Sequence, residues 1–509
     1  MTVRVVTAEQ AAARDTAAIG AGIPSLQLMR RAGLGAAERI LERLAPQEGR
    51  RALVCCGVGN NGGDGWIVAG ALARAGVHVH VLESGAPKGP DASAAREETI
   101  AQISLGTSGA HPHVVVDALL GTGAAGPLRG VIAELASTIA DARARGALVV
   151  ALDLPSGVDA TTGAVADGAV IADLTISFGT IKRGQLLARS QCGEIAAIDI
   201  GLAQHANLDD GAPVLVDAPW VDARVPAIVA DAHKGTRRRL LVVGGDRGMA
   251  GSVALAAHGA MRSGIGMVKL CVHQESVLAV QSVVPQATAI EWPIASPPPA
   301  LLSWPNVVLI GPGLGPREQA RATVTAWLTA WTGPVVVDAD ALNAFAGDDS
   351  ALGDLLDGRP AIITPHPLEF ARLIGVDLDT VLGEHFEIGA RLARALHAVV
   401  LLKGVPTVVT APDGTSMVSA AGTPVLASAG SGDILGGIAA TLLAQGEDPF
   451  VAAASAAWIH GRAGELANAG RSVRGVTLDD VLLSLGHAWS IAPREAHAPL
   501  AHLPRVGDS

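Results

Sequence analysis

The feature that most constrains the fold of this chain is an alternation of short, nearly uninterrupted apolar runs with longer stretches of helical periodicity. In the first ~210 residues the apolar runs are RALVCCG (51–57), VHVHVLE (77–83), HVVVDAL (113–119), ALVVALD (147–153), DLTISF (173–178) and EIAAID (194–199). Runs of this kind are typical of parallel strands that are buried on both faces. The alternation therefore predicts an α/β domain with a mostly parallel sheet.

The pattern weakens in residues 213–230 and then restarts, which predicts a second α/β domain after a linker. Further strands are expected at RLLVVGG (239–245), GMVKLCV (266–272), NVVLIGPG (306–313), PVVVDAD (334–340), AIITPHP (361–367), HAVVLLKG (397–404) and PTVVTA (406–411). Helices are expected at 251–263 and 431–446. We therefore predict domains at 1–212 and 231–500, joined by a linker at 213–230.

Composition excludes several classes of protein. The net charge is −11 and no long basic run occurs, so nucleic acid is not an expected partner. No apolar segment reaches the ~18 residues that a membrane span requires. The first residues lack the apolar core of a signal peptide, so we expect a cytoplasmic protein. The four cysteines are interpreted as small core residues in a reducing compartment.

The stretch GVGNNGGDGW (57–66) follows the first predicted strand and contains the G-x-G-x-x-G spacing of a dinucleotide-binding site, with Glu83 at a suitable distance downstream. In such a site the helix N-terminus faces a pyrophosphate. Here the helix start carries two asparagines and then Asp64, whose carboxylate would repel that anion. The stretch therefore argues against a dehydrogenase and favours a cation or a hydroxyl-rich ligand.

Three more polar loops follow predicted strands of the first domain. Asp117 leads into the glycine-rich loop GTGAAGP (121–127), Asp153 leads into LPSG with Ser156, and Lys182 follows TISFGT. One aspartate in such a position is commonly a helix cap or a turn residue. Several at the carboxyl ends of parallel strands, where ligands bind in α/β folds, favour a site.

The motifs NNGGDG, VDALLGTG, LDLPSGVDATTG and DLTISFG, together with the opening VVTAEQ…GIPSLQLMRRAG, resemble the NAD(P)HX epimerase domain of the YjeF N-terminal type over most of residues 1–205. The resemblance implies that Asp153 contacts the substrate and works in acid/base catalysis. It also implies a potassium ion, and oxygen ligands suit such a hard cation. The implied potassium ligands are Asn61, Asp117 and Ser156. The implied substrate-binding residues are Asn60, Asn61, Gly62, Gly63, Asp64, Gly121, Thr122, Gly123, Ala124, Ala125, Gly126, Pro127 and Asp153.

In the second domain, AGSGDILGG (429–437) places glycines directly before a helix, where backbone N–H groups can hold a phosphate. Asp433 lies at this helix start and is suited to deprotonate a hydroxyl for phosphoryl transfer, although an isolated aspartate there is often only a cap. Lys403, which follows a buried run, is suited to meet a nucleotide phosphate. His366, between two prolines, fits either a site or a plain loop.

HKG, GGD…MAGS, GPGLG, DADALN, TPHPLEF, LKGVPTVV and AGSGDILGG occur in the order of the ribokinase-like ADP/ATP-dependent NAD(P)HX dehydratases, which the chain resembles over roughly 230–490. The resemblance implies Asp433 as catalytic base and Mg²⁺ bound with ADP or ATP. Asp246 departs from the family pattern, where a serine is common. The implied nucleotide-binding residues are Lys403, Gly404, Val405, Pro406, Thr407 and Gly432. The implied contacts to the hydrated dinucleotide are Ala254, Gly313, His366 and Asp433.

Together the two resemblances imply a Rossmann-like three-layer α/β/α domain followed by a ribokinase-like α/β domain. The implied activity is the repair of hydrated NADH and NADPH (NADHX and NADPHX): epimerisation, then nucleotide-dependent dehydration with release of phosphate, and of AMP if ADP is the donor. ADP is favoured by similarity to bacterial two-domain proteins, and a homo-oligomer is expected. The alternatives are a ribokinase-like small-molecule kinase in the second domain, fused to a nucleotide-binding regulatory domain, and a first domain that binds without catalysis.

Overall fold

The structure is a computed structural model that describes residues 2–44, 49–106, 111–202, 204–205, 208–292, 297–491 and 498–507. The chain divides into two compact units. The first comprises Met1–Val214 and Glu495–Gly507, and the second comprises Leu215–Arg494 and Asp508–Ser509. None of the described helices combines the length and the apolarity needed to cross a membrane.

The first ~200 residues contain all six strands that the apolar runs predict. The strands are β1 (Val5–Val6), β2 (Arg51–Cys56), β3 (His78–Glu83), β4 (Ser104–Leu105), β5 (Val114–Ala118), β6 (Leu148–Leu152), β7 (Leu174–Phe178), β8 (Ile181–Lys182) and β9 (Glu194–Ile198). The helices are α1 (Ala8–Gly20), α2 (Ser25–Arg43), α3 (Asn60–Arg74), α4 (Pro90–Thr99), α5 (Val131–Ala144), α6 (Arg183–Leu187) and α7 (Arg189–Cys192).

The rest of the chain continues the same alternation. Its strands are β10 (Val214–Leu215), β11 (Arg239–Val243), β12 (Met267–Val272), β13 (Thr288–Glu291), β14 (Val307–Ile310), β15 (Val335–Val337), β16 (Ala361–Ile363), β17 (Val399–Leu402), β18 (Thr407–Thr410), β19 (Ser416–Ser419) and β20 (Ala501–Leu503). Its helices are α8 (Ala218–Asp222), α9 (Ala250–Arg262), α10 (Val277–Val283), α11 (Pro299–Leu302), α12 (Arg317–Ala330), α13 (Asp340–Asn343), α14 (Asp349–Leu356), α15 (Pro367–Ile374), α16 (Leu378–Gly383), α17 (Ile388–Leu396), α18 (Ser431–Ala444), α19 (Pro449–Asn468) and α20 (Leu478–Ala488).

The first unit contains an eight-stranded sheet in the order β20-β9-β7-β6-β5-β2-β3-β4. Its pairings are parallel except that of β20, which runs antiparallel to β9. Because side chains alternate across a strand, Cys56 packs in the core with α2 and α3, whereas Cys55 packs in the core with α5. Helices therefore cover both faces, which confirms the three-layer α/β/α architecture. All four cysteines are buried and reduced, as predicted.

The second unit is built around a ten-stranded sheet in the order β10-β19-β18-β17-β16-β15-β14-β11-β12-β13. The pairings from β13 to β17 are parallel, and β17, β18 and β19 pair antiparallel. The region predicted as a linker contains β10 and α8. Asp217 caps α8 by accepting a hydrogen bond from the Trp220 N–H (2.9 Å), and the Trp220 side chain is buried.

Candidate active sites

Glycines after β2 let the turn into α3 pack directly against neighbouring backbone. A Cβ atom on Gly62 would lie 1.9 Å from the carbonyl oxygen of Gly57, and one on Gly57 would lie equally close to that of Leu119. Neither position can therefore carry a side chain. The turn consequently lies against the loop that follows β5, and α3 is buried from Asn61 through its first turns.

Three side chains that the sequence assigns to a metal are connected through one loop. Asp117, fully buried at the end of β5, accepts hydrogen bonds from the Ser156 hydroxyl (2.7 Å) and the Ser156 N–H (2.8 Å). The Leu120 N–H donates to Ser156 Oγ, and the Asn61 side-chain amide donates to the Leu120 carbonyl (2.8 Å). Burial raises the pKa of Asp117, and hydrogen bonds from Ser156 offset part of the rise.

The carboxylate of Asp153, directly after β6, is held by groups on β7 and β8. Its Oδ1 accepts hydrogen bonds from Lys182 Nζ and from the Phe178 N–H (3.3 Å). Lys182 Nζ also donates to Ser177 Oγ at 3.2 Å, and the lysine side chain is almost completely buried. Asp153 has a φ of 64°, a left-handed conformation that asparagine and aspartate tolerate better than most residues. The ion pair with Lys182 therefore fixes one carboxylate oxygen and leaves Oδ2 without a hydrogen bond to any described residue.

These groups surround a cavity of about 780 Å³, which is large enough for much of a dinucleotide. Among the described residues the charged side chains that line it are Asp15, Asp64, Arg129, Asp153 and Lys182. Burial raises the pKa of Asp15 to about 6, with Lys182 opposing the rise and Asp153 adding to it. Burial likewise raises the pKa of Asp64, and the nearby carboxylates of Asp153 and Asp15 add to the effect.

The predicted substrate-binding residues divide between this cavity and its surroundings. Residues on the cavity wall are Asn60, Asn61, Asp64, Gly121, Thr122, Gly123, Ala124 and Asp153. Ala125 and Gly126 border a smaller pocket shared with residues 154–158. Gly63 packs near Met29, and Glu83, the acidic residue of the dinucleotide fingerprint, is paired with Arg96 (2.7 Å). The pairing leaves Glu83 unsuited to bind a ribose, which agrees with the argument against a dehydrogenase.

In the second unit, Asp433 lies in the first turn of α18 after Gly430, whose φ of 92° forms the sharp entry into the helix. The Asp433 side chain is buried and accepts a hydrogen bond from the Ser252 side chain. Burial, then the nearby carboxylate of Asp338, raise the pKa of Asp433 to about 7, while Ser252 and Lys403 oppose the rise. A base that titrates near neutrality is well matched to proton abstraction.

Lys403 connects the carboxyl ends of three strands to the start of α18. Its Nζ lies 2.9 Å from Asp338 Oδ1 and 3.7 Å from Glu369 Oε2. Burial opposes the charged form, but these carboxylates outweigh it and raise the pKa of Lys403. A Cβ on Gly432 would lie 3.2 Å from Lys403 Nζ, so the ammonium group directly adjoins the glycine-rich helix start. A permanently charged ammonium at a helix N-terminus is suited to hold phosphate.

His366 is the N-cap of α15, and this role fixes its tautomer. Its Nδ1 accepts hydrogen bonds from the N–H groups of Leu368 and Glu369 (3.2 Å each), and the Glu369 carboxylate accepts one from the His366 N–H (2.8 Å). Burial, with the Lys403 charge, lowers the pKa of His366. The imidazole is therefore neutral, with its proton on Nε2, which lies 3.4 Å from Glu369 Oε1 and can donate a hydrogen bond to that carboxylate or to a ligand.

The GPGLG loop lies against the start of α9. A Cβ on Gly313 would lie 2.8 Å from Met249 Cβ and 3.3 Å from Ser252 Cβ, which places the glycine close to the residue that binds Asp433. Ala254 lies two residues further along α9 and is buried. Asp246, the departure from the family pattern, donates its backbone N–H to the Gly313 carbonyl (2.7 Å), and its carboxylate faces Gly315.

The predicted adenylate loop, Lys403 to Thr407, joins β17 to β18. His385 Nε2 lies 2.7 Å from the Pro406 carbonyl, and the Thr407 hydroxyl donates to the Gly404 carbonyl. Val405 is 70% exposed, so the loop presents an apolar side chain to solvent.

Sequence reasoning singled out Lys182 only as a polar residue after a predicted strand, and it assigned no role to Asp15, Asp338, Glu369 or Ser252. For Asp338 a signal was present, because the aspartate directly follows the buried strand VVV. For Asp15 the local sequence AARDTAA indicates only an exposed helix. Its proximity to Lys182 and Asp153 arises from tertiary structure.

Comparison with known proteins was made with this geometry in hand. Residues 25–184 match the family model described as YjeF-related protein N-terminus, and residues 240–485 match the family model described as NAD(P)H-hydrate dehydratase. The two matches fall in the two structural units.

Full-length relatives cover both units. The bifunctional NAD(P)H-hydrate repair enzyme Nnr of Moorella thermoacetica is 36% identical over 494 residues, which span 90% of this chain and 91% of the relative. The enzyme of the same name from Escherichia coli is 34% identical, over 91% of this chain and 89% of the relative. A crystal structure of the Bacillus subtilis ADP/ATP-dependent NAD(P)H-hydrate dehydratase, co-crystallised with ATP and Mg²⁺, shares 30% identity and a TM-score of 0.49, and the match covers 54% of this chain and 96% of that structure.

Proposed function

The chain belongs to the family of bifunctional NAD(P)H-hydrate repair enzymes, and from this membership we propose how each of its sites works. The protein is an isomerase and a lyase: it interconverts the epimers of hydrated NADH and NADPH and dehydrates one of them to NAD(P)H. The position of Asp433 is the main observation that supports this assignment of catalytic residues. It is a buried carboxylate of near-neutral pKa at a glycine-rich helix start, close to the ammonium group of Lys403.

In the second unit, Asp433 takes the proton from the ring hydroxyl of the S epimer as that oxygen attacks the terminal phosphoryl group of ADP or ATP. The transfer converts hydroxide, a poor leaving group, into phosphate. The ring nitrogen then expels phosphate, and loss of a proton from the adjacent carbon restores NAD(P)H. Mg²⁺ bound to the nucleotide would neutralise charge on the phosphates during transfer. With ADP, the donor that we favour, the products are AMP and phosphate.

We assign the nucleotide to the side of the cleft that carries Lys403. Its ammonium group and the N–H groups at the start of α18 meet the phosphates, and the adenylate contacts Gly404, Val405, Pro406, Thr407 and Gly432. The hydrated nicotinamide contacts Ala254, Gly313, His366 and Asp433. Because His366 carries its proton on Nε2, it donates a hydrogen bond to the carboxamide or hydroxyl oxygen of the substrate and does not act as a base.

In the first unit we propose Asp153 as an acid/base group facing the substrate in the cavity. The loops 60–64 and 121–127 would hold the dinucleotide. Asp117, Asn61 and Ser156 fit a potassium ion because all three present oxygen atoms at the ends of adjacent strands. Asn61 Oδ1 supports the fit, since it is buried without a hydrogen-bond partner among the described residues. The ion would supply positive charge that offsets the buried Asp117 carboxylate.

The assignments are tested by recovery of NADH absorbance from mixed NADHX epimers with Mg²⁺, K⁺ and ADP, and with ATP in parallel. The wild type should recover all of the NADH. Asp433→Asn should lower the dehydratase rate by about 10²–10⁴-fold, the usual contribution of a positioned base. Asp448→Asn is the matched control, because Asp448 caps α19 from an exposed position and asparagine preserves the cap.

Asp153→Asn preserves the left-handed backbone at that residue and should stall recovery at the share of the S epimer. The assay must be faster than spontaneous epimer exchange. Full-rate recovery by Asp433→Asn would remove the proposed base. Accumulation of a stable phosphorylated product would indicate a small-molecule kinase, and unchanged recovery by Asp153→Asn would indicate that the first unit only binds. The cytoplasmic location and the homo-oligomer expected from the sequence stay predictions.

A further inference from the structure

Two of the charged groups in the first-unit cavity, Asp15 and Lys182, have no role in the function proposed above. They come from elements far apart in the chain, Asp15 from α1 and Lys182 from β8. A two-stranded parallel sheet brings these elements together, because Val6 of β1 pairs with Lys182 of β8. Helix α1 begins two residues after that pair, so the pairing anchors the helix beside the lysine that holds Asp153.

Helix α1 is held rigidly at this position. Thr7 forms a capping box at its start, and the Ala8 N–H donates to the Thr161 hydroxyl (3.0 Å). Arg14, which is completely buried, pairs with Asp210 at 2.7 Å and also donates to the Gln10 carbonyl. Asp15 is the next residue. The fixed helix holds the Asp15 carboxyl group at the cavity wall, where the group is accessible to solvent and yet has enough protein around it to raise its pKa.

We propose that Asp15 is the proton donor that works with Asp153 in epimer exchange, while Lys182 fixes the position of the Asp153 carboxylate. The proposal rests on the epimerase function proposed for this cavity. Epimerisation requires that a bond be broken at the ring carbon that carries the hydroxyl and is attached to the ring nitrogen. One group must remove a proton and another must supply one. The cavity wall carries two such groups, the Asp153 carboxylate fixed by Lys182 and the carboxyl group of Asp15.

The step balances without any further reactant. Asp153 takes the hydroxyl proton, the carbon–oxygen bond becomes a carbonyl, the carbon–nitrogen bond breaks, and Asp15 delivers a proton to the nitrogen. Rotation about the adjacent carbon–carbon bond turns the aldehyde. The nitrogen then attacks its other face, returns its proton to Asp15, and the oxygen takes the proton from Asp153. Both carboxyl groups finish as they began.

The charges around the cavity favour Asp15 as the proton donor and Asp153 as the proton acceptor. The other charged groups among the described residues that line this cavity are Asp64 on α3, Asp153 after β6, Lys182 on β8 and Arg129 before α5. Burial raises the pKa of Asp15 to about 6, so its acid form remains accessible near neutral pH. Asp153 Oδ1 accepts a hydrogen bond from the Lys182 ammonium group, which fixes the position of this carboxylate.

The test is the rate of epimer exchange, followed directly on separated R- and S-NADHX as a function of pH, in the full chain. Asp15→Asn should lower kcat by about 10²-fold or more and change KM by less than about threefold. For the wild type, kcat/KM should fall tenfold per pH unit above about pH 6, because the acid form of Asp15 is lost. This limb should be absent in Asp15→Asn. Glu9→Gln, on the same helix but outside the cavity, is the matched control and should behave as wild type.

Dehydration of S-NADHX by the same molecules provides an internal reference, since it depends on the other unit. If Asp15→Asn reduces the stability of the first unit, Asp15→Glu provides a second test of the proton-donor role. It should restore part of the exchange rate, together with a fall in kcat/KM at high pH. Exchange by Asp15→Asn within twofold of wild type, or with an unaltered pH limb, overturns the proposal while leaving the epimerase assignment intact. An absence of exchange in the wild type overturns both.

Discussion

The C-terminal strand β20 provides the sharpest structural prediction, because it joins the first unit although it follows the whole of the second unit in sequence. It pairs antiparallel with β9, with Ala501 opposite Ala197 and Leu503 opposite Ile195. The strand alternates as an edge strand should: Ala501 and Leu503 are buried, and His502 between them is exposed. Replacing Leu503 with alanine should therefore destabilise the first unit specifically.

The magnitude follows from burial. Leu503 is 8% exposed, and a leucine-to-alanine change in a core costs about 2–5 kcal/mol. A strand with one neighbour can relax around the lost methyl groups, so we expect the lower end, about 2 kcal/mol. For a unit of this size each kcal/mol lowers the melting temperature by about 2–4 °C, which gives a decrease of about 4–8 °C.

The assay is heat inactivation of the full chain, with residual epimerase and dehydratase activities measured on the same samples. The epimerase midpoint should fall by about 4–8 °C and the dehydratase midpoint should stay constant. His502→Gln is the matched control, because this exposed side chain contributes only a surface pair with Glu194. Equal shifts for Leu503→Ala and His502→Gln, or a shift in the dehydratase midpoint alone, would refute the placement of β20.

Three further predictions concern the sites. The dehydratase kcat/KM should rise as pH increases through about 7, because Asp433 must be ionised to act as base. Asp338→Asn should move this rising part of the pH–rate profile to lower pH, because it removes a like charge near Asp433. A profile that does not move in Asp338→Asn would contradict this. His366→Asn keeps a side-chain acceptor that can cap α15 but loses the donor at Nε2. The KM for S-NADHX should therefore rise several-fold, while the melting temperature changes little. A large loss of stability without a change in KM would show that the histidine has a purely structural role. Asp117→Asn should abolish the stabilisation of the first unit by K⁺ relative to Na⁺ in thermal unfolding, and persistence of that stabilisation would remove Asp117 from the ion site.

The parts of the fold that the sequence predicted are those with a strong local pattern. Runs such as HVVVDAL and AIITPHP are buried strands in any α/β context, and each occurs as a strand in the structure. The short strands β1, β4, β8, β10 and β20 were not predicted, nor were the four-residue strands β13 and β19. A strand of two or three residues has too few side chains to show a period, and such strands form because a partner is already in place.

For the sites, the sequence by itself determined the chemistry at strand ends and helix starts, because Asp153 and Asp433 lie within glycine-rich motifs whose local geometry is encoded nearby. It could not determine which charges meet across the chain. Lys403 faces Asp338 from 65 residues away, and Lys182 meets Asp153 across a separate strand. Asp15 has no local motif, and its role depends on the pairing of β1 with β8. Only the tertiary structure decided these contacts, because they join side chains that lie far apart in the sequence and meet only when the strands and helices have packed together.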